Sequence, residues 1–313
     1  MKTMISLLKR EFWEHKGMLL WTPLSVAAAM ICAFIVPFLY GSKWISAHTI
    51  SRVGRMKDHT QQVGDALANT YMFSSGPLLA VMSIIIFFYC LACLYDDRRD
   101  RSILFWKSLP VSDFQTVLSK LLVACLLIPL IFLTIATLMS LCMLMIVSIA
   151  FSTQEVFIFK DLLANEKLYL SPLQIIGILP VYILWALPSL CWLMLVSSWA
   201  RSKAFLWAVG IPLLIVLLIG MLKQLMFQDT EMQWFVDLFL GRGIGGLIPG
   251  AWLRFEDIPL STYFPSSRKD FSWGQIFMTS WQTLSSLQLW AGVLVAACMF
   301  YLTVRLRRWR EAA

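Results

Sequence analysis

Residues 121–151 read Leu-Leu-Val-Ala-Cys-Leu-Leu-Ile-Pro-Leu-Ile-Phe-Leu-Thr-Ile-Ala-Thr-Leu-Met-Ser-Leu-Cys-Met-Leu-Met-Ile-Val-Ser-Ile-Ala-Phe, without one charged side chain or histidine. At a rise of about 1.5 Å per residue, a helix of this length exceeds the roughly 30 Å hydrocarbon core of a bilayer. A strand of a membrane barrel would alternate apolar and polar side chains, and this run does not. Because a backbone in lipid must satisfy its own hydrogen bonds, the run predicts a membrane-spanning α-helix.

Uncharged runs of this kind recur along the 313-residue chain. The six runs are 18–40, 77–95, 121–151, 173–199, 204–222 and 287–304. Charged residues make up only 14% of the chain, against about 25% in ordinary soluble domains, and the mean hydropathy is +0.74. We therefore predict an all-α integral membrane protein with six transmembrane helices, all in a single transmembrane domain that covers residues 18–313.

Lysine and arginine are distributed unevenly over the connections between these runs. With a cytoplasmic N-terminus, the inner segments carry 15 Lys and Arg and 7 Asp and Glu, whereas the outer segments carry 11 of each. Basic residues near span ends stay on the cytoplasmic side, so we predict that both termini are cytoplasmic. The isoelectric point of about 9.2 then reflects topology and contact with membrane lipids, and we expect no nucleic acid as a partner.

Residues 1–17 precede the first predicted span and have one apolar side. That side consists of Met4, Ile5, Leu8 and Phe12, and the opposite side carries Lys2, Lys9 and Lys16. The pattern predicts an amphipathic helix on the cytoplasmic surface of the membrane. Such a helix either anchors the chain at the membrane surface or also contacts a cytoplasmic partner.

The connection 96–120, between the second and third spans, begins with the charge cluster Asp96-Asp97-Arg98-Arg99-Asp100-Arg101. Ile103-Leu104-Phe105-Trp106 and Ser108-Leu109-Pro110-Val111-Ser112 follow. Pro110 ends one helix, and Ser112 with Gln115 predicts a capping box for the next. The aromatic face of the first helix suggests docking, unless Phe105 and Trp106 only lie at the lipid interface while the arginines fix topology.

The run 95–122 resembles the cytoplasmic segment of the ABC-2 permease family. Members typically carry an acidic and basic cluster after the second span, a Leu-Pro-Val-Ser-type turn, and a lysine that leads into the third span. Residues 195–204, Leu-Val-Ser-Ser-Trp-Ala-Arg-Ser-Lys-Ala, resemble the short inner turn of those permeases. One departure is Arg101-Ser102-Ile103, where many members have a Gly-Thr pair.

The resemblance implies the membrane subunit of a bacterial ABC exporter in the cytoplasmic (inner) membrane. It implies a homodimer or heterodimer of permease subunits with two copies of a separate ATPase subunit. Residues 98–110 would form the coupling helix, and residues 1–17 the connecting helix beside it. The coupling residues implied are Asp97, Arg98, Arg99, Asp100, Arg101, Phe105, Trp106, Leu109 and Pro110, and those of the connecting helix are Leu8, Phe12 and Trp13.

The chain lacks a Gly-x-x-x-x-Gly-Lys-Ser/Thr phosphate loop, so ATP and magnesium should bind to the partner subunit. We expect no enzyme activity, cofactor or metal on this chain.

An intramembrane enzyme or an ion-coupled transporter would need ionisable groups within the spans, and the six runs contain no Asp, Glu, Lys, Arg or His. Cys90 and Cys93 form a C-x-x-C in an apolar helix without a nearby histidine, which favours packing over a soft-metal site.

The long outer segment 223–286 leaves a second function open. Within it, residues 232–253 are apolar but interrupted by five glycines and Pro249, which predicts a re-entrant or surface-lying helical pair. The alternative to an exporter is a non-transport ABC membrane module, which transmits ATPase-driven movement to an extracytoplasmic partner through this segment.

Overall fold

The computed structural model describes residues 2–40, 64–68, 71–99, 111–152, 159–226, 242–243, 245–255 and 273–310. These residues form helices and turns, and no β-strand occurs among them. The helices are α1 (Lys2–Glu14), α2 (Thr22–Tyr40), α3 (Gly76–Ala92), α4 (Tyr95–Arg99), α5 (Asp113–Leu122), α6 (Ile128–Ser152), α7 (Phe159–Ala164), α8 (Glu166–Trp199), α9 (Ala204–Met226), α10 (Trp273–Gln282) and α11 (Leu287–Arg310).

Six helical stretches in the described part of the chain are long and apolar enough to cross a membrane, which confirms the predicted number. They are centred on α2, α3, the continuous α5–α6 pair, α8, α9 and α11. The apolar window of α8 is 61% buried within the protein, whereas those of α2 and α9 are each 17% buried. The chain is therefore a multi-pass membrane protein with its fourth span at the centre and its first and fifth at the periphery.

The first and last helices of the described part of the chain pack against the same element. Helix α5 packs against α1 and also against α11, so the N-terminal helix and the last turns of the C-terminal helix flank one element. We call this the terminal end of the bundle. The end formed by α7 and the beginning of α8 is the opposite end.

The beginning of the third span follows the local sequence signals closely. Ser112 Oγ accepts a hydrogen bond from the Gln115 backbone N–H at 3.2 Å, and the Ser112 N–H donates to Gln115 Oε1 at 3.4 Å. This confirms the predicted capping box. A π-helical turn, Val123–Leu127, then joins α5 to α6, and a second one, Gly17–Trp21, joins α1 to α2.

Residues 242–255 include a segment that packs within the bundle, between the second and fourth spans. It contains the 3₁₀ turns Gly245–Leu247 and Ala251–Phe255. Ser83 Oγ and the Tyr182 hydroxyl each donate a hydrogen bond to the Leu247 carbonyl at 3.0 Å. Ser83 and Tyr182 lie well within the uncharged runs 77–95 and 173–199, so this segment lies below the ends of the spans. Residues 232–241 and residue 244 of the predicted helical pair lie outside the described residues.

Candidate functional site

Charged side chains from four helices meet at the terminal end. We call this group the terminal charge cluster, and it consists of Glu11 on α1, Asp97 on α4, Asp113 and Lys120 on α5, and Arg307 on α11. All of them except Asp113 are buried. Three carboxylates and two cations therefore share a site largely closed to solvent by the chain itself.

The cluster forms one continuous chain of ion pairs. Lys120 Nζ lies 2.9 Å from Glu11 Oε1 and 3.4 Å from Asp97 Oδ2. Arg307 extends the chain, because its Nη1 lies 3.6 Å from Asp97 Oδ2 and its Nε lies 3.6 Å from Asp113 Oδ1. Asp97 thus contacts both cations and is the central member of the cluster.

Glu11 also links the cluster to the second span. The Tyr89 hydroxyl on α3 donates a hydrogen bond to Glu11 Oε2 at 3.1 Å. The His15 ring packs edge-on against the Tyr89 ring, with centroids 5.2 Å apart, and His15 Nε2 lies 3.8 Å from Glu11 Oε2. A carboxylate on the N-terminal helix therefore contacts groups from the second and third spans at once.

Helix geometry explains how Glu11 comes to face the protein. It lies one turn after Leu7, and residues four apart lie on the same side of a helix. Leu7 and Glu11 are both buried, while Leu8 and Phe12 pack half-buried against the main core. Breaking a buried ion pair by removing one partner costs about 3–5 kcal/mol, so the cluster holds α1 firmly against the bundle.

Arg98 makes a second contact at the terminal end, to the fourth span. Its Nη2 donates to the Ser197 carbonyl and, at 2.9 Å, to the Ala200 carbonyl. The last carbonyls of a helix have no partner within the helix, and Arg98 satisfies them at the end of α8. Ser197 Oγ in turn accepts the backbone N–H groups of Leu94 and Tyr95 at 3.2 and 3.0 Å.

The structure separates the coupling residues implied by the family resemblance. Asp97 is buried in the cluster, Arg98 binds α8, and Arg99 is exposed. The others lie outside the described residues; they are Asp100, Arg101, Phe105, Trp106, Leu109 and Pro110.

The residues of the connecting helix also differ in their surroundings. Leu8 and Phe12 face the bundle, whereas the Trp13 side chain is 58% exposed. Lys16 Nζ lies 4.8 Å from the centre of the Trp13 ring. Trp13 therefore lies on the exposed surface of the terminal end.

Sequence reasoning did not find Glu11, Lys120 or Arg307 as site residues. Lys120 entered as a positive charge and as the lysine that leads into the third span in the family resemblance, and Arg307 entered only as a positive charge that orients the spans. The one local signal was the phase of Glu11, a carboxylate on the side of α1 that also carries Leu7 and Leu8. A buried charge requires a partner, so the position of Glu11 on this side of α1 indicates that a cation elsewhere in the chain pairs with it.

The contacts of the cluster are suited to transmitting movement from one helix to another. Among the described residues, no group of three or more His, Cys, Asp or Glu side chains could hold a metal ion. No family model, curated protein or solved structure matches the chain. What the geometry offers is a set of ion pairs and hydrogen bonds that join α1, α3, α4, α5 and α11, and α4 and α5 are the described helices that precede and follow residues 100–110 in the chain.

Proposed function

We propose that the chain is the permease subunit of an ATP-driven exporter of the ABC-2 type, in a bacterial cytoplasmic membrane. Two permease subunits form the translocation path, and two separate ATPase subunits bind at the terminal end. ATP and magnesium bind to those partners. The segment 98–110 is the coupling segment, and α1 is the connecting helix beside it.

The observation that carries this proposal is the position of the terminal charge cluster. Residues 100–110 connect α4 with α5, and Asp97 and Lys120 anchor both of these helices in the cluster. Arg98 additionally anchors α4 to the end of the fourth span. Movement imposed on residues 100–110 by a partner would therefore reach the second, third, fourth and sixth spans through buried contacts.

The first experiment tests the partner. The tagged full-length chain, expressed in its native host and extracted with a mild detergent, should bring down an ATPase subunit that carries a phosphate-binding loop. Arg99→Glu should reduce the recovery of that subunit at least about tenfold, since a reversed charge next to a docking surface opposes binding. Arg201→Glu, at an exposed position in the turn after α8, is the control. Recovery of no ATPase with the wild-type chain would contradict the proposal.

A second experiment separates export from the alternative of a non-transport module. Proteoliposomes that contain only the permease and its ATPase are assayed for ATP-dependent movement of amphiphilic substrates. Flux without a third component supports the exporter. ATP hydrolysis without flux, restored to function only by an extracytoplasmic protein, supports the module that transmits movement through residues 223–286.

A further inference from the structure

A buried arginine within the bundle joins residues 242–255, called here the 242–255 segment, to the sixth span. The Arg242 side chain is only 4% exposed. Its Nη2 donates to the Leu289 carbonyl at 2.9 Å, and its Nη1 donates to the Gln288 carbonyl. The guanidinium carbon lies 4.5 Å from the centre of the Trp185 ring on α8. A cation at this depth is costly to bury, and these contacts stabilise it.

The surroundings of Arg242 accommodate it closely. The Arg242 carbonyl accepts a hydrogen bond from Ser189 Oγ at 2.6 Å, which fixes the backbone as well as the side chain. Gly292, in the first turns of α11, faces the guanidinium, and a Cβ at that position would overlap it. The glycine therefore provides the space in which Arg242 reaches the α11 carbonyls.

Helix α11 also contributes to the terminal charge cluster. It runs from Leu287 to Arg310, about 36 Å at the usual helical rise, with Arg242 bound near its beginning and Arg307 in its last turns. It contains no proline, whereas α8 contains Pro172, Pro180 and Pro188. Sharp helix bends need a proline, a π-bulge or a similar interruption. Helix α11 is therefore built to move as one rigid body.

We propose that α11 is a rod that connects the terminal charge cluster with the 242–255 segment, so that weakening the contacts of Arg307 loosens the contacts of Arg242. The packing of the segment would then change when the cluster rearranges, because α11 transmits the movement through the bundle. This inference goes beyond the proposed function, since it concerns contacts within one chain and holds whatever partner binds at the terminal end.

The test is hydrogen–deuterium exchange of the full-length chain in lipid nanodiscs, read on peptides that cover residues 245–255. Asp113→Asn removes one carboxylate from Arg307 at a half-buried position, and Arg307→Lys shortens the reach of the cation. Each should speed exchange of the segment about two- to thirtyfold, the range of typical couplings between distant sites. Arg242→Gln should speed it at least as much. Arg308→Gln, at an exposed neighbour of Arg307, should leave it unchanged.

The variants keep the outcomes distinct, provided that each elutes like the wild type on size exclusion. Faster exchange in Arg242→Gln alone would show a local contact and overturn the role of α11. An equal effect of Arg308→Gln would show general destabilisation and overturn it as well. Unchanged exchange in Arg242→Gln would show that the Arg242 contacts do not hold the segment in place, and would overturn the inference.

Discussion

Glu11 and Glu14 lie almost one turn apart on α1, and their surroundings differ sharply. Glu11 is buried with Lys120 Nζ at 2.9 Å, whereas the Glu14 side chain is 47% exposed and pairs with Arg10 at 3.3 Å. Glu11→Gln removes a buried counter-charge and should lower the free energy of unfolding by about 3 kcal/mol. Glu14→Gln should change it by less than about 0.5 kcal/mol. Reversible unfolding of the purified chain in detergent measures both.

A double variant shows whether the Glu11 effect comes from the ion pair. Lys120→Met alone leaves Glu11 without its nearest cation, and the combination with Glu11→Gln removes both charges. The double variant should lose less stability than the sum of the two single variants, because neither charge is then left without the other. Additive losses would contradict a direct interaction.

Two glycines of the 242–255 segment form a matched pair for a second test. A Cβ on Gly246 would lie 2.7 Å from Ser189 Oγ and 3.1 Å from the Trp185 carbonyl, whereas a Cβ on Gly243 would meet no atom within 4 Å. Gly246→Ala should therefore destabilise the protein by about 1–3 kcal/mol, as overpacking does, and Gly243→Ala should be tolerated. Thermal unfolding of both variants checks this, and equal melting temperatures would show that the segment does not approach α8 closely.

The ion-pair partner of each charged side chain was the part of the site that the sequence predicted least well. Lys120 binds a carboxylate 109 residues earlier in the chain, and no local pattern encodes that distance. The pairing of a charge depends on which helices pack together. The Ser112–Gln115 capping box was predictable because both partners lie within one helical turn.

At the scale of elements, the junction between the second and fourth spans gives a testable contrast between neighbouring serines. Ser197 Oγ accepts two backbone N–H groups from the turn after α3, while Ser198 Oγ donates to the Leu195 carbonyl of its own helix. Ser197→Ala leaves buried donors without that acceptor and should cost about 2–3 kcal/mol. Ser198→Ala should cost under about 1 kcal/mol.

The measurement is again unfolding in detergent, supported by hydrogen–deuterium exchange of residues 93–99. Ser197→Ala should speed exchange there, because the turn between α3 and α4 loses its contact with α8. Ser198→Ala should not. If both variants exchange at the wild-type rate, the serine does not fix the position of α4.

Helix positions were predictable from sequence because lipid requires long uncharged runs, and α11 begins at Leu287, where the last such run begins. The π-helical turns Gly17–Trp21 and Val123–Leu127 were not predictable. They depend on a shift of hydrogen bonding by one residue within an otherwise ordinary apolar sequence. Such turns occur often at functional positions, and both lie at the terminal end near the charge cluster.

At the scale of the whole molecule, the arrangement of the spans could not be predicted from composition. All six runs are uncharged and mostly apolar on every side, since lipid and protein interior favour the same side chains. Only packing shows that α8 is central and that α2 and α9 are peripheral. The sequence also predicts that both termini lie on one side of the membrane, because an even number of spans requires it. Helices α1 and α11 both pack against α5, and the side of the membrane stays a prediction.

The charge distribution predicts the compartment of the terminal end, and this is the last prediction. The segments assigned to the terminal side carry 15 Lys and Arg, against 11 in the opposite segments, and basic residues are retained in the cytoplasm. Alkaline phosphatase is active only outside the cytoplasm. Fused after Ala313 it should be inactive, and inserted after Asp229 in the full chain it should be active. Green fluorescent protein at the same two sites should show the reverse pattern, because it fluoresces only when folded inside. Active phosphatase after Ala313 would show that the bundle has the opposite orientation in the membrane. The terminal charge cluster would then face a compartment without ATP, which would contradict the proposed function.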